Sequence, residues 1–242
     1  MLRTDPEPPH AIVPRQDSRY WQFYDAVATA QLLTWLPDAP SLVLDLSDDE
    51  SKRPELIRDL GHTVIRLGSS ALPGLTTVTA DPLSLDWIQE GSLDAVVAEG
   101  SALSLCLALE ETALQLLRRL RPGGRLLLVV DSYITGLARL ADQGKWAELA
   151  DVPFADVVLV PTPDGGMTRC FWPAELRELL TDAGLQVEWL QPRTLVTPRV
   201  AERALAEGGA DALDALLATE DRLARQEHGD GGIHLVVSAR RP

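Results

Sequence analysis

The chain has 242 residues, with 22 Lys and Arg against 36 Asp and Glu, a formal net charge of −14. Phosphate binding draws its affinity from clustered Lys and Arg, so this balance argues against a nucleic-acid surface and against an acidic membrane leaflet. The composition, 45% hydrophobic and 24% charged, is that of a globular protein with material for a sizeable core. Two distant thiols, Cys106 and Cys170, make neither a disulfide framework nor a four-ligand zinc site, and no metal centre is expected.

The stretch from Met1 to Arg19 carries Pro6, Pro8, Pro9 and Pro14 among charges and reads as a loose tail without a secretory signal. No apolar run approaches the roughly 20 residues that span a bilayer, and the two distant thiols fit a reducing cytosol, which is the expected location. From Tyr20 to Leu36 the residues Trp21, Tyr24, Val27, Ala28, Leu32 and Trp35 recur at helical spacing, and Pro37 ends the helix. Leu42 to Leu46 reads as a buried strand, Pro54 to Leu60 as a helix stopped by Gly61, and Thr63 to Leu67 as a second strand. Thr76 to Thr79 and Leu93 to Ala98 follow as the third and fourth. Glu110 to Leu120 is the next helix, and the turn Arg121-Pro122-Gly123-Gly124 introduces a fifth strand to Val130. Val- and Leu-rich strands alternating with helices predict a parallel sheet covered on both faces.

Beyond the fifth strand the pattern changes. Ser132 to Asp142 reads as helix, and Asp156–Val160 with Met167–Phe171 flank the turn Pro163-Asp164-Gly165-Gly166 as a hairpin. A helix from Pro173 to Ala183 ends at Gly184, and Leu185 to Leu190 is the next strand. An insertion over 192–231 holds a helix from Ala210 to Arg225, and it can serve as a lid or as a dimer contact. Ile233 to Ser238 is the closing strand.

This order, with the turn in Leu120-Arg121-Pro122-Gly123-Gly124-Arg125-Leu126, the stretch from Phe171-Trp172-Pro173 to Ala183-Gly184-Leu185 and the ending from His234 to Pro242, resembles the class I S-adenosylmethionine-dependent methyltransferases from Tyr20 onward. The resemblance implies one Rossmann-like, doubly wound α/β domain over 20–242, its seven-stranded, mostly parallel sheet ending in an antiparallel last strand, with helical insertions. It also implies S-adenosylmethionine as cofactor and a small-molecule acceptor.

The cofactor motifs match unevenly. Val43-Leu44-Asp45-Leu46 fits the first strand, but the turn that should be glycine-rich reads Ser47-Asp48-Asp49-Glu50-Ser51, where side chains and carboxylates face the place of the cofactor's methionine. At the end of the second strand, where the family has an acid for the ribose hydroxyls, stand Ser69 and Ser70. Asp81, followed by Pro82, occupies the place near the adenine. Glu99 and Gly100 end the fourth strand beside cofactor and substrate. The cofactor-binding set implied by the resemblance is therefore Asp45, Ser47, Ser69, Asp81, Pro82, Glu99 and Gly100, and Glu99 is the one candidate general base.

Plainer readings stand beside these. Asp48, Asp49 and Glu50 suit a solvated loop capping a helix near Lys52, and Asp81 before Pro82 suits a helix cap. His10, His62, His228 and His234 have no sequence neighbours that suggest a metal or catalytic pair. Tyr20, Trp21, Phe23 and Tyr24 suit either a lid over a small apolar substrate or core packing, with packing the plainer reading, while Trp146, Phe154, Phe171 and Trp172 fall where the family builds its substrate pocket. Two functions follow. One is methyl transfer from S-adenosylmethionine to a small molecule. The other is a degenerate relative that has lost the methyl donor and acts as a binding or regulatory partner, or catalyses another reaction in the same cleft. A homodimer or a protein partner is compatible with either.

Overall fold

The computed structural model describes residues 13–14, 17–224 and 231–242, so most of the expected tail, with His10, and also His228 lie outside the described residues. Helix α1 (Tyr20–Trp35) leads into β1 (Leu42–Asp45), α2 (Arg53–Asp59), β2 (Thr63–Leu67), β3 (Thr76–Val78) and β4 (Leu93–Ala98). A 3₁₀ turn at Ala102–Leu105 precedes α3 (Leu109–Arg119), β5 (Leu120–Asp131), α4 (Tyr133–Asp142) and α5 (Trp146–Asp151). The hairpin β6 (Val158–Pro161) and β7 (Met167–Cys170), then α6 (Pro173–Asp182), β8 (Gln186–Pro192), α7 (Pro198–Glu207), α8 (Ala212–Ala224) and β9 (His234–Arg240) complete the chain.

Seven strands form one sheet in the order β3-β2-β1-β4-β5-β9-β8. The first five run parallel, β9 is antiparallel to both its neighbours, and β6 pairs with β7 in a separate antiparallel hairpin. The period-two alternation of strands sorts the core into two layers. Leu44, Val96, Leu126, Leu128 and Val237 face α3 and α6, where Leu109, Leu116, Leu176 and Leu180 are buried. Val43, Val97, Leu127, Val129 and Val236 face the other way, onto Leu32, Trp35 and Leu36 of the α1 segment and Ile57 of α2. Each such side chain contributes about 1.5–3 kcal/mol by leaving water, so the uninterrupted Val and Leu runs are what two covered faces demand.

Local chemistry fixes the helix ends. Helix α3 opens on Glu110 and Glu111 and closes on Arg118 and Arg119, complementing its dipole. Helix α6 starts at Pro173, the Glu175 carboxylate accepts from the Trp172 N–H over 3.2 Å, and Gly184 at φ +93° turns the chain into β8. The expected turn before the fifth strand lies inside it: pairing steps from Leu93↔Leu120 to Ala95↔Arg125, so residues 121–124 bulge out with Gly123 at φ +77°. Two helices in the later region, α5 and α7, go beyond the sequence expectation. A third cluster joins Tyr20, Phe23 and Val27 of α1 to Ala201 of α7 and Leu216 of α8, so the aromatics of α1 are core residues.

Candidate functional site

Strand order reverses between β1 and β4, since β1 leads outward to β2 and β4 leads to β5 on the other side. The crevice beyond the carboxyl ends of such strands is where open α/β sheets bind ligands. Asp45 ends β1 there, fully buried. Its carboxylate accepts from the Ser47 N–H at 3.2 Å and the Ser47 hydroxyl at 3.0 Å, and Ser47 Oγ accepts from the Glu99 N–H at 3.0 Å. Burial raises the Asp45 carboxyl to about 7 against the opposing pull of those hydrogen bonds and of the Arg66 charge. The structure thus brings Asp45, Ser47 and Glu99 together.

Glu99, nominated as a base, is held in an ion pair. Arg193 Nη2 donates to its Oε1 at 2.6 Å, with both side chains buried, and Arg193 Nη1 donates to Gln31 Oε1 at 2.6 Å. Next to this pair, Tyr24 Oη lies 2.8 Å from His234 Nδ1, and His234 Nε2 lies 3.2 Å from Asp131 Oδ1 at the end of β5. Arg139 donates to the other Asp131 oxygen at 2.6 Å. Burial alone would raise Asp131, but the hydrogen bond and charge of His234, with Arg139, hold it below the usual carboxylate range. Burial also raises the Tyr24 phenol. Sequence reasoning left Arg193, Tyr24, His234 and Asp131 outside the site; Asp131, an acid closing an apolar strand, was the one visible signal.

The loop after β1 corrects the capping expectation. No side chain from 48–50 caps α2; Ser51 Oγ accepts from the Arg53 N–H instead. Asp49 reaches across to the end of β2, where it pairs with the fully buried Arg66 at 2.7 Å and bonds the Ser69 hydroxyl. Ser69 is therefore engaged by Asp49. Arg66 also donates to the Ser70 carbonyl at 2.7 Å. Asp48 lies over Gly100, where a β-carbon would collide with its carboxylate, and a β-carbon on Gly68 would stand 2.7 Å from Asp49 Oδ1. Gly100 at φ +69° and Ser101 at φ +56° form a left-handed pair that turns the chain from β4 into the 3₁₀ segment.

Asp81 is exposed and accepts from the Leu83 N–H at 2.9 Å; no helix starts there, so it caps a turn that holds Pro82 rather than the expected helix. Of the aromatics assigned to pocket walls, Phe171 is a core residue, Trp172 stacks on Tyr133 at 4.0 Å, and Trp146 and Phe154 are exposed. Among the described residues no group of three or more His, Cys, Asp or Glu side chains is placed to hold a metal, and no helix is long and apolar enough to cross a membrane.

The sheet order, with a single reversed strand next to the edge, decides the architecture. The chain has the class I methyltransferase fold. Neither a family model nor a curated protein matches the sequence. Solved structures do. A putative S-adenosylmethionine-dependent methyltransferase from Listeria monocytogenes is similar at 13% identity and a TM-score of 0.63, over 91% of this chain and 99% of that one. The Burkholderia thailandensis 1,6-didemethyltoxoflavin-N1-methyltransferase, with bound S-adenosylhomocysteine, is similar at 19% identity and 0.55, over 93% and 79%. The [4+2]-cyclase SpnF is similar at 20% identity and 0.53, over 91% and 80%. At the two places where the resemblance puts the cofactor, Asp48 fills the space over Gly100 and Asp49 pairs with Arg66 at the end of β2.

Proposed function

We propose that this chain is a methyltransferase-fold protein that binds and acts on a small molecule at the carboxyl edge of its sheet without holding S-adenosylmethionine in the family's usual pose. The observation that carries this reading is the bridge from Asp49 to Arg66 and Ser69, which spans the groove with the protein's own carboxylate. A buried Arg66 charge needs that counter-charge, so opening the groove leaves a cation in the sheet unpaired. The chemistry left at the edge is proton handling. His234 stands between the Tyr24 hydroxyl, 2.8 Å from its Nδ1, and Asp131 Oδ1, 3.2 Å from its Nε2, so this row of groups can hold a proton beside the Glu99–Arg193 pair. The likeness to a structure named as a [4+2]-cyclase supports a reaction other than methyl transfer on this scaffold.

A second reading, methyl transfer from S-adenosylmethionine to a small molecule, is favoured by the likeness to methyltransferases over 91–93% of the chain. It requires Asp48 and Asp49 to leave the crevice. Isothermal titration and thermal shift with S-adenosylmethionine and S-adenosylhomocysteine separate the two. No heat and no shift at millimolar ligand are expected, and the variant Asp48→Gly, Asp49→Gly, Glu50→Gly should bind more tightly than the wild type. Micromolar binding by the wild type, weakened in that variant, would establish the second reading instead.

A further inference from the structure

The β6–β7 hairpin is a two-stranded unit beside the main sheet. Strand β7 is tied down: the Phe171 N–H that follows it donates to the Asp131 carbonyl and the Tyr133 N–H donates to the Phe171 carbonyl, both at 2.9 Å, and Arg169 is buried between Glu110 and Glu175. Helix α4 covers one face of the hairpin, where Gly136 lies against Val158 and Cys170. No described strand pairs with the far edge of β6. The Thr162 N–H donates to the Gly166 carbonyl at 3.0 Å, which fixes the alternation of the ladder. Val158 and Val160 spend their backbone groups on β7, whereas Leu159 and Pro161 point theirs to the open edge. Pro161 has no N–H to give, and its carbonyl accepts from Gln143 Nε2 at 2.9 Å. Carried one step back, the same alternation brings Val157 to that edge beside Leu159.

Folded proteins guard such edges with charges, bulges or very short strands. Strand β8, at one edge of the main sheet, carries Glu188 and a break in register between Val187 and Trp189, and β3, at the other, has three residues. From 157 to 161 there is no charge, and Pro161 guards the far end alone. Val157 and Leu159 are each 41% exposed, and Phe154, just upstream, is 89% exposed. The edge is also self-complementary. When a second copy is laid antiparallel about a two-fold axis at Val158, Val157 of each copy faces Leu159 of the other, in the register where opposed residues exchange both N–H and C=O groups. Asp156 then stands opposite Val160 and not opposite its own counterpart, so two chains of net charge −14 pair no like charges across the ladder.

We infer that the open edge of β6 is a docking surface for a second copy of this chain, which adds its own β6 as an antiparallel strand. The joined hairpins form one sheet in the order β7, β6, β6, β7, and Leu159 of each copy covers Val157 of the other. Because β7 is fixed to the end of β5, the edge is held ready and little ordering is needed on association. The contact lies on the hairpin and not on the 192–231 insertion, and it holds whatever the cleft binds.

Sedimentation velocity of the full chain from about 1 to 200 µM should show a reversible monomer–dimer equilibrium. Raising salt from about 0.05 to 0.5 M should strengthen it, since screening removes the repulsion between two acidic chains. Leu159→Pro deletes the outward N–H at a position that gives nothing to β7, and Leu159→Lys sets a charge on the edge. Each should weaken association at least about tenfold, with the circular dichroism and thermal unfolding of the monomer unchanged. Val200→Lys, on the exposed side of α7, should associate as the wild type does. If Leu159→Pro disturbs the hairpin, Leu159→Lys decides. A wild type that stays monomeric over this range overturns the inference and leaves the edge to a different chain. A dimer that the Leu159 variants leave intact overturns it too, as does one that Val200→Lys abolishes, which would move the contact to the insertion.

Discussion

Arg193 and Glu99, 94 positions apart, form a buried ion pair at the carboxyl edge of the sheet, with Nη2 and Oε1 2.6 Å apart. Neither charge has water to fall back on; Gln31 accepts from the other guanidinium nitrogen and the Tyr24 ring lies 5.9 Å from it. Removing one partner strands the other, at a typical cost of about 3–5 kcal/mol. Glu99→Gln should therefore lower unfolding stability in urea by that order at neutral pH. The double replacement Glu99→Leu with Arg193→Met should recover most of the loss, since an apolar pair of similar volume has no charge to desolvate. A single replacement that costs under about 1 kcal/mol would show the pair to be solvated.

Gly100 carries two demands at once, a left-handed backbone at φ +69° and the Asp48 carboxylate lying over it. Gly100→Ala should destabilise the chain through both the backbone, about 1–2 kcal/mol, and the collision. Adding Asp48→Gly should remove the collision and leave the backbone part, so thermal unfolding of the two single variants and the double should be non-additive. Strict additivity would mean that Asp48 does not sit on Gly100.

The layered sheet was legible from sequence because strands buried on both faces must be apolar throughout, and Leu42 to Asp45, Leu93 to Ala98 and Leu126 to Val130 are nearly so. Helix α7 was not legible: its buried residue is Ala201, Val200 is exposed, and the apolar stripe that reveals a helix is thin. The site divided in the same way. Asp45, Ser47 and Glu99 lie together because the fold puts strand ends side by side, whereas the partners of Glu99 come from α1 and from the segment after β8, which no spacing rule links to β4. The course of Asp49 left one trace. Arg66 stands inside an otherwise apolar strand, and a guanidinium there requires a carboxylate; local capping rules pointed Asp49 to α2 instead.

Asp131 makes an acid-range prediction. Its folded carboxyl lies below the usual value, with the effect of burial outweighed by His234 and Arg139. A depressed acid stabilises the folded state above its unfolded pKa and loses that contribution as pH falls through the folded value. The stability difference between wild type and Asp131→Asn should favour wild type, stay level between about pH 5 and 7, and shrink below about pH 4. A difference that grows on acidification would contradict the pairing of Asp131 with His234 and Arg139.

Asp45 predicts the opposite slope. Burial lifts its carboxyl from 3.8 to about 7, beyond what Ser47 and Arg66 pull back, and the nearby Glu99 charge adds to the rise. A raised acid binds its proton more tightly folded than unfolded, so its contribution is most favourable below the unfolded value and is lost as pH climbs from 3.8 to about 7. Above that window the folded state carries the whole cost of a buried, ionised carboxylate, on the order of a few kcal/mol at about 1.4 kcal/mol per unit. Asp45→Asn keeps the shape and an acceptor for the Ser47 N–H but cannot ionise. Its stability relative to wild type should therefore rise steadily between about pH 4 and 7 and stay level at higher pH. Chemical denaturation of both proteins at half-unit intervals reads this directly, and a flat difference across that range would place the Asp45 carboxyl in the ordinary range and in contact with water.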